Sequence, residues 1–212
     1  MFAMLKKKTD HFVILAHEQK IRVMHLTIRP AQQLDAAVVP EIMLEAMEDI
    51  IFRFIQKEDK KEAIHFLTDL FQQTENLYSH ENTFVAVDPE GNVMGSLTGY
   101  DGDHFLALRQ PILELMQKQY ANDLIPEPET AGQEFYIDSV AVSTAARGQG
   151  LGTELLKHAI KHAKNQGFKQ IGLLVDLDNP NAKKLYERLG FTLGNKMPFI
   201  GGEYYHMYIQ FV

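Results

Sequence analysis

Apolar positions along the chain recur with two periods, and the change from one to the other predicts an ordered set of strands and helices. From His25 to Arg29 polar and apolar residues alternate as in a strand, which Pro30 stops. Val38, Ile42, Met43, Ala46, Met47, Ile50, Ile51 and Phe54 recur at helical steps. They predict a helix capped by Asp35 and running to about Gln56. Lys57 to Lys61 is a charged break, and a second helix runs from about Glu62 to Asn76. Thr83 to Val87 and Asn92 to Tyr100 form a hairpin across Asp88-Pro89-Glu90-Gly91, where Pro presets φ and Gly accepts a positive φ.

Phe105 to Tyr120 has a helical pattern with Pro111 awkwardly placed, and Asn122 to Gln133 reads as a loop rich in Pro and Glu. A strand follows from Glu134 to Val142, then a glycine-rich turn from Arg147 to Gly152 and a helix from Thr153 to Asn165. Ile171 to Asp176 is an apolar strand. Asn179 caps a helix that starts with Pro180 and runs to Leu189, and the last strand is Tyr204 to Val212. This order predicts an α/β (α+β) protein, one sheet with helices on its faces. Residues 25–212 are read as one domain with an insert at 101–133, and residues 1–24 as an N-terminal extension. The extension holds Lys6, Lys7 and Lys8 and a short apolar run from Phe12 to Ala16, which falls short of a secretory signal. Met24 is a candidate natural start.

Composition narrows the chemistry. The 212 residues include no cysteine, which excludes disulfides, cysteine-ligated metals and a cysteine nucleophile. There are 21 Lys and Arg against 28 Asp and Glu, a net charge of −7, which argues against a nucleic-acid partner. No apolar run approaches the ~18 residues of a membrane span, and a cytoplasmic protein is expected. The nine histidines are read as showing no metal-ligand spacing, so no metal is expected.

Arg147-Gly148-Gln149-Gly150-Leu151-Gly152-Thr153 lies between a strand and a helix. Its glycines let backbone amides approach an anion at a helix N-terminus, and Arg147 adds a charge. Gly152 stands where a Walker loop needs Lys, and G-x-G-x-G is not the dinucleotide fingerprint. A tight turn without a ligand needs fewer glycines.

The stretch from Glu134 to Phe191 resembles the GNAT superfamily of acyl-CoA N-acetyltransferases. Val140-Ala141-Val142 followed by Arg147 to Gly152 is similar to that family's acetyl-CoA motif. Asn179-Pro180-Asn181-Ala182 followed by Leu185-Tyr186-Glu187-Arg188-Leu189-Gly190-Phe191 is similar to its second motif. With the upstream element order, the resemblance covers about residues 25–212. It implies a central mixed, mostly antiparallel twisted sheet flanked by helices on both faces. It also implies direct acetyl transfer from acetyl-CoA to a primary amine of a small molecule or peptide within a ternary complex. The alternative is a non-catalytic acyl-CoA-binding or sensory domain.

By this resemblance the pantetheine arm lies along Val140, Ala141 and Val142, with the Val142 amide on the thioester carbonyl. The pyrophosphate rests on the loop of Arg147, Gly148, Gln149, Gly150, Leu151, Gly152 and Thr153. Asn179, beside Ala182, touches the pantetheine arm, caps its helix, or does both. Tyr186 matches the family's proton donor to the leaving thiolate, its other role being packing under its helix. For the base, strand alternation places Glu134, Tyr136, Asp138, Val140 and Val142 on one face. Asp138 is the expected base, with Glu134 as a relay or substrate contact. The other role open to Asp138 is tying down a loop. Tyr204, His206 and Tyr208 share a face of the last strand, and a structural role is preferred for His206. The acidic insert reads as a solvated flap or as a cover that draws a cationic amine to the acceptor cleft. A homodimer is left open, through Tyr204 to Val212 and the insert.

Overall fold

A computed structural model describes residues 26–212. The strand start at His25, the candidate start at Met24 and the lysine-rich leader lie outside the described residues. Among the described residues seven strands form one sheet: β1 (Thr27–Pro30), β2 (Thr83–Val87), β3 (Val93–Asp101), β4 (Phe135–Val142), β5 (Gln170–Asp176), β6 (Thr192–Phe199) and β7 (Gly202–Gln210). Their spatial order is β1-β2-β3-β4-β5-β7-β6, antiparallel except for the central β4–β5 pair. Helix α4 (Leu151–Asn165) makes the crossover that a parallel pair requires.

Each face of the sheet has its own core. On one face α1 (Val39–Ile55), α2 (Lys60–Gln72) and α3 (Phe105–Tyr120) bury Met43, Ile51, Phe66, Phe71, Ile112 and Met116 against Tyr100 and Tyr136. On the other, α4 and α5 (Pro180–Arg188) pack Leu151, Leu155, Leu156 and Leu185 on Leu97, Ile137, Leu173 and Val175. The insert is therefore not merely a solvated flap. Its α3 supplies core residues, and the buried Asn122 amide donates to the Arg53 and Phe54 carbonyls at 2.9 and 2.8 Å. That contact occupies carbonyls that the end of α1 leaves without helical partners.

Several expected boundaries move. Asp35 does not cap α1: it sits in a preceding 3₁₀ turn, accepts from the Gln32 N–H and pairs with Arg29 at 2.7 Å. The Arg29 guanidinium holds its carboxyl below the usual range. α1 begins at Val39 with Pro40 in its first turn and departs from helical geometry at Met47 (φ −138°, ψ 24°). α2 begins at Lys60, capped by Asp59, and ends at Gln72. α4 starts two residues before Thr153, so Gly152 belongs to its first turn. β6 is an additional strand, which Gly194 and Pro198 hide in the sequence by their poor strand propensity. It is tolerated because β6 is an edge strand paired only with β7.

Candidate active site

β4 and β5 pair only from Phe135 to Ile137 against Ile171 to Leu173. Beyond that they diverge, leaving the β5-facing backbone of β4 without a strand partner and opening a cleft of about 720 Å³. On its other side β4 carries a bulge. Thr98 opposes Ser139 and Gly99 opposes Ile137, so Asp138 is the extra residue. A bulge inverts the alternation of side chains beyond it. Tyr136 thus faces the α1–α3 side, whereas Val140 and Val142 pack on the α4–α5 side. The expected common face of Glu134, Tyr136, Asp138, Val140 and Val142 is broken at Asp138. Asp138, Val140 and Val142 still line one cavity, because the cleft passes between two strands and meets both faces of the sheet.

On the α4 side, Gly148 and Gly150 adopt φ of +75° and +80°, with open space where a Cβ would stand. Gly150 is the N-cap residue of α4, and among the described residues no side chain caps that end. The first amides of the helix are therefore available to an anion, and the open loop allows close approach. Gly152 lies in the cleft against Val142. Arg147 is exposed and pairs with Glu45 of α1, outside the cavity lining. The groups suited to a thioester-linked nucleotide arm are thus present: an unpaired strand edge, an uncapped helix start and an adjacent guanidinium.

Asp138 accepts from the Tyr100 hydroxyl at 3.2 Å, and Tyr136 donates to Glu129 at 3.1 Å. Burial pushes the Asp138 carboxyl up to about 7, against the pull of Tyr100. Burial and the nearby Asp138 charge push Glu129 well above the carboxylate range. Two poorly solvated carboxyls thus compete for charge. On the opposite face, Tyr186 is half-buried, lines the cleft, and is pushed up to about 12 by burial. Its phenol therefore carries its proton at neutral pH. Asn179 Oδ1 accepts from the Ala182 N–H at 3.0 Å, so the cap is formed while both residues line the cavity.

The cavity gathers Asp138, Val140, Val142, Gly152, Asn179, Ala182 and Tyr186. Ala141 and Leu151 are buried outside it, and Gly148, Gln149 and Gly150 are exposed on the loop beside it, with Thr153 half-buried on α4. Glu134 is not part of the cleft lining. Its buried carboxylate accepts from Thr130 at 2.8 Å and Gln170 at 2.9 Å and pairs with His206 at 3.0 Å. Burial raises its proton affinity, but those hydrogen bonds outweigh it and hold the carboxyl below its ordinary value. This is an anchor between β4, β5, β7 and the insert. His206 belongs to it and stacks on Tyr208.

Sequence reasoning missed Tyr78, Glu129 and the Glu45–Ile50 segment as cleft residues. Glu129 had no local signal beyond the acidity of the insert. His158 and His162 of α4 do stand at i, i+4 spacing, a pair the sequence reading passed over. Both pack on the edge of Phe84 at 4.8 and 4.9 Å. Among the described residues no group of three or more His, Asp or Glu is arranged to hold a metal. Nor is any described helix long and apolar enough to cross a membrane.

A profile of the acetyltransferase (GNAT) family matches residues 44–191, well over half of the chain, which therefore belongs to that family. A mycothiol acetyltransferase of Corynebacterium efficiens is 39% identical over 64 residues, which are 30% of this chain and 21% of that protein. The matched segment thus spans only about a fifth of that relative's length. A solved acetyltransferase structure superposes with a TM-score of 0.73 at 28% identity, covering 87% of this chain and 98% of the other. An N-acetyltransferase from Staphylococcus aureus Mu50 shares the fold, with a TM-score of 0.74 at 21% identity over 86% of this chain and 100% of its own.

Proposed function

We propose that the chain is an acetyl-CoA-dependent N-acetyltransferase acting on a primary amine of a small molecule or peptide by direct transfer. The observation that carries this reading is the cleft through the sheet, with a carboxyl poised near neutrality on one face and a protonated phenol on the other. Acetyl-CoA supplies the activated acetyl group. The loop of Arg147 to Gly152 and the first turn of α4 hold its pyrophosphate, and the free edge of Val140 to Val142 aligns its arm. The Val142 amide stabilises the developing oxyanion. Asp138 takes the proton of the incoming ammonium, whose ordinary pKa near ~10 otherwise keeps its lone pair occupied. Tyr186 hands a proton to the leaving thiolate and recovers one from the acylated nitrogen through solvent. Without cysteine there is no thiol for a covalent relay, which favours direct attack within a ternary complex.

The test is calorimetric titration with acetyl-CoA followed by thiol release against a panel of amines. Binding with amine-dependent release is expected. Binding with no turnover on any amine would favour the acyl-CoA-binding alternative, and no binding would overturn the assignment of the glycine loop. The domain is taken as residues 25–212 and a cytoplasmic setting is proposed with it, a homodimer staying open.

A further inference from the structure

The cleft lining is one-sided in charge. Among the described residues it includes Glu45, Glu48, Asp49, Glu129, Asp138 and Asp176, and no Lys, Arg or His. Glu45 and Glu48 are offset by Arg147 and Lys60. The other four make no ion pair among the described residues. Arg109 lies near enough to Glu129 to favour its charge but makes no hydrogen bond or ion pair to it, and its buried Nε has no partner among the described residues. The Arg109 guanidinium donates to the Pro126 carbonyl at 2.8 Å and lies over the Phe105 ring at 5.0 Å. The α1–α3 side of the cavity is also aromatic, walled by Tyr78, Tyr136, Phe199 and Tyr204.

We propose that Glu129, framed by Tyr78, Tyr136 and Tyr204, binds a second ammonium group of the acceptor, so that the preferred acceptor is a diamine or longer oligoamine. The inference rests on the acetyl-transfer reading and deepens it. Asp138 sits at the bulge, beside the expected thioester position, and serves the attacking amine. Glu129 is a separate carboxylate on the insert, placed where the rest of the acceptor must lie. The arriving ammonium would draw Glu129 into its ionised form and meet it and the aromatic faces in a poorly solvated recess, where both contacts are strong. An acceptor carrying a carboxylate or phosphate would meet the same carboxylates with no cation in the lining to offset them. The outer Asp49 and Asp176 extend the negative field toward solvent and raise the local concentration of oligocations.

The experiment compares diaminobutane, aminobutanol and aminobutanoate as acceptors, together with calorimetric titration of diaminobutane into the CoA-bound protein. A preference of about tenfold or more in kcat/KM for diaminobutane over aminobutanol is expected, as for one charge-assisted contact. Glu129→Gln should shrink that ratio about tenfold. Asp49→Asn lies at an exposed position of α1 and so tests the field without threatening the fold. It should raise the KM for diaminobutane and flatten its salt dependence. Aminobutanol or aminobutanoate turned over as efficiently as diaminobutane would overturn the proposal while leaving acetyl transfer intact. Diaminobutane binding without turnover of any amine would support the ammonium site and sink the acetyl-transfer reading. Absence of diaminobutane binding would overturn the proposal.

Discussion

Tyr186→Phe removes a single oxygen from a side chain that packs on Phe191 at 5.9 Å, so helix packing survives while the proton donor is lost. kcat should fall by about a hundredfold or more, within the range of general acid catalysis, with the Kd for acetyl-CoA nearly unchanged. An unchanged kcat would remove Tyr186 from the mechanism. Asp138 makes a sharper prediction because its carboxyl titrates at about 7. kcat/KM should rise with pH through about 7 as the base loses its proton, and Asp138→Asn should abolish that limb. The sign for stability is opposite. The folded value lies above the unfolded one of 3.8, so the folded state holds this proton more tightly. The contribution is fully present below 3.8 and is lost as pH rises to about 7. Asp138→Asn should therefore gain in Tm relative to the parent protein above neutrality and lose that advantage in acid. A pH series of thermal melts reads it directly.

At the scale of elements, the cleft depends on where β4 and β5 part, and the Glu134 anchor lies at the paired end. Gly172 of β5 allows it: a Cβ there would collide with the Glu134 carboxylate and lie 2.6 Å from His206 Nε2. Gly172→Ala should cost about 1–3 kcal/mol by overpacking, seen as a lower Tm in calorimetry. Retention of the parent Tm would show that the anchor can move aside. The bulge at Asp138 is the second control at this scale, since it brings a residue of the α1 face and the valines of the α4 face to one cavity. Strand alternation alone cannot reveal it. An extra residue in β4 is defined only by the register of β3, which is remote in sequence.

For the whole molecule, the sheet separates two binding faces, with the glycine loop on the α4 side and the insert on the α1 side. Deleting residues 121–132 removes Asn122 from the Arg53 and Phe54 carbonyls, Thr130 from Glu134, and Glu129 from the cleft. The Tm should fall and the acceptor KM should rise several-fold, while the acetyl-CoA Kd stays near the parent value because the loop at 147–152 is built on the other face. Parallel loss of both affinities in calorimetry and kinetics would show that the two faces fold as one unit.

The sequence by itself determined what is local. Helical and strand periods marked most elements, the Asp88–Gly91 turn followed from its Pro and Gly, and the glycine loop and Tyr186 were legible because their motifs are contiguous. Asn179 could be recognised as a cap because its partner, the Ala182 amide, is three residues away. The tertiary structure decided what depends on distant neighbours. It separated Glu134 from Asp138, two carboxylates four residues apart, one just before β4 and one within it. Glu134 found Gln170 and His206, whereas Asp138 was turned by the bulge toward Tyr100 and the cleft. It also brought Glu129, from an unremarkable acidic loop, against Tyr136 in the recess. A carboxylate's role is set by its solvation and the charges around it, and the strands and loops that supply both meet only when the sheet is assembled.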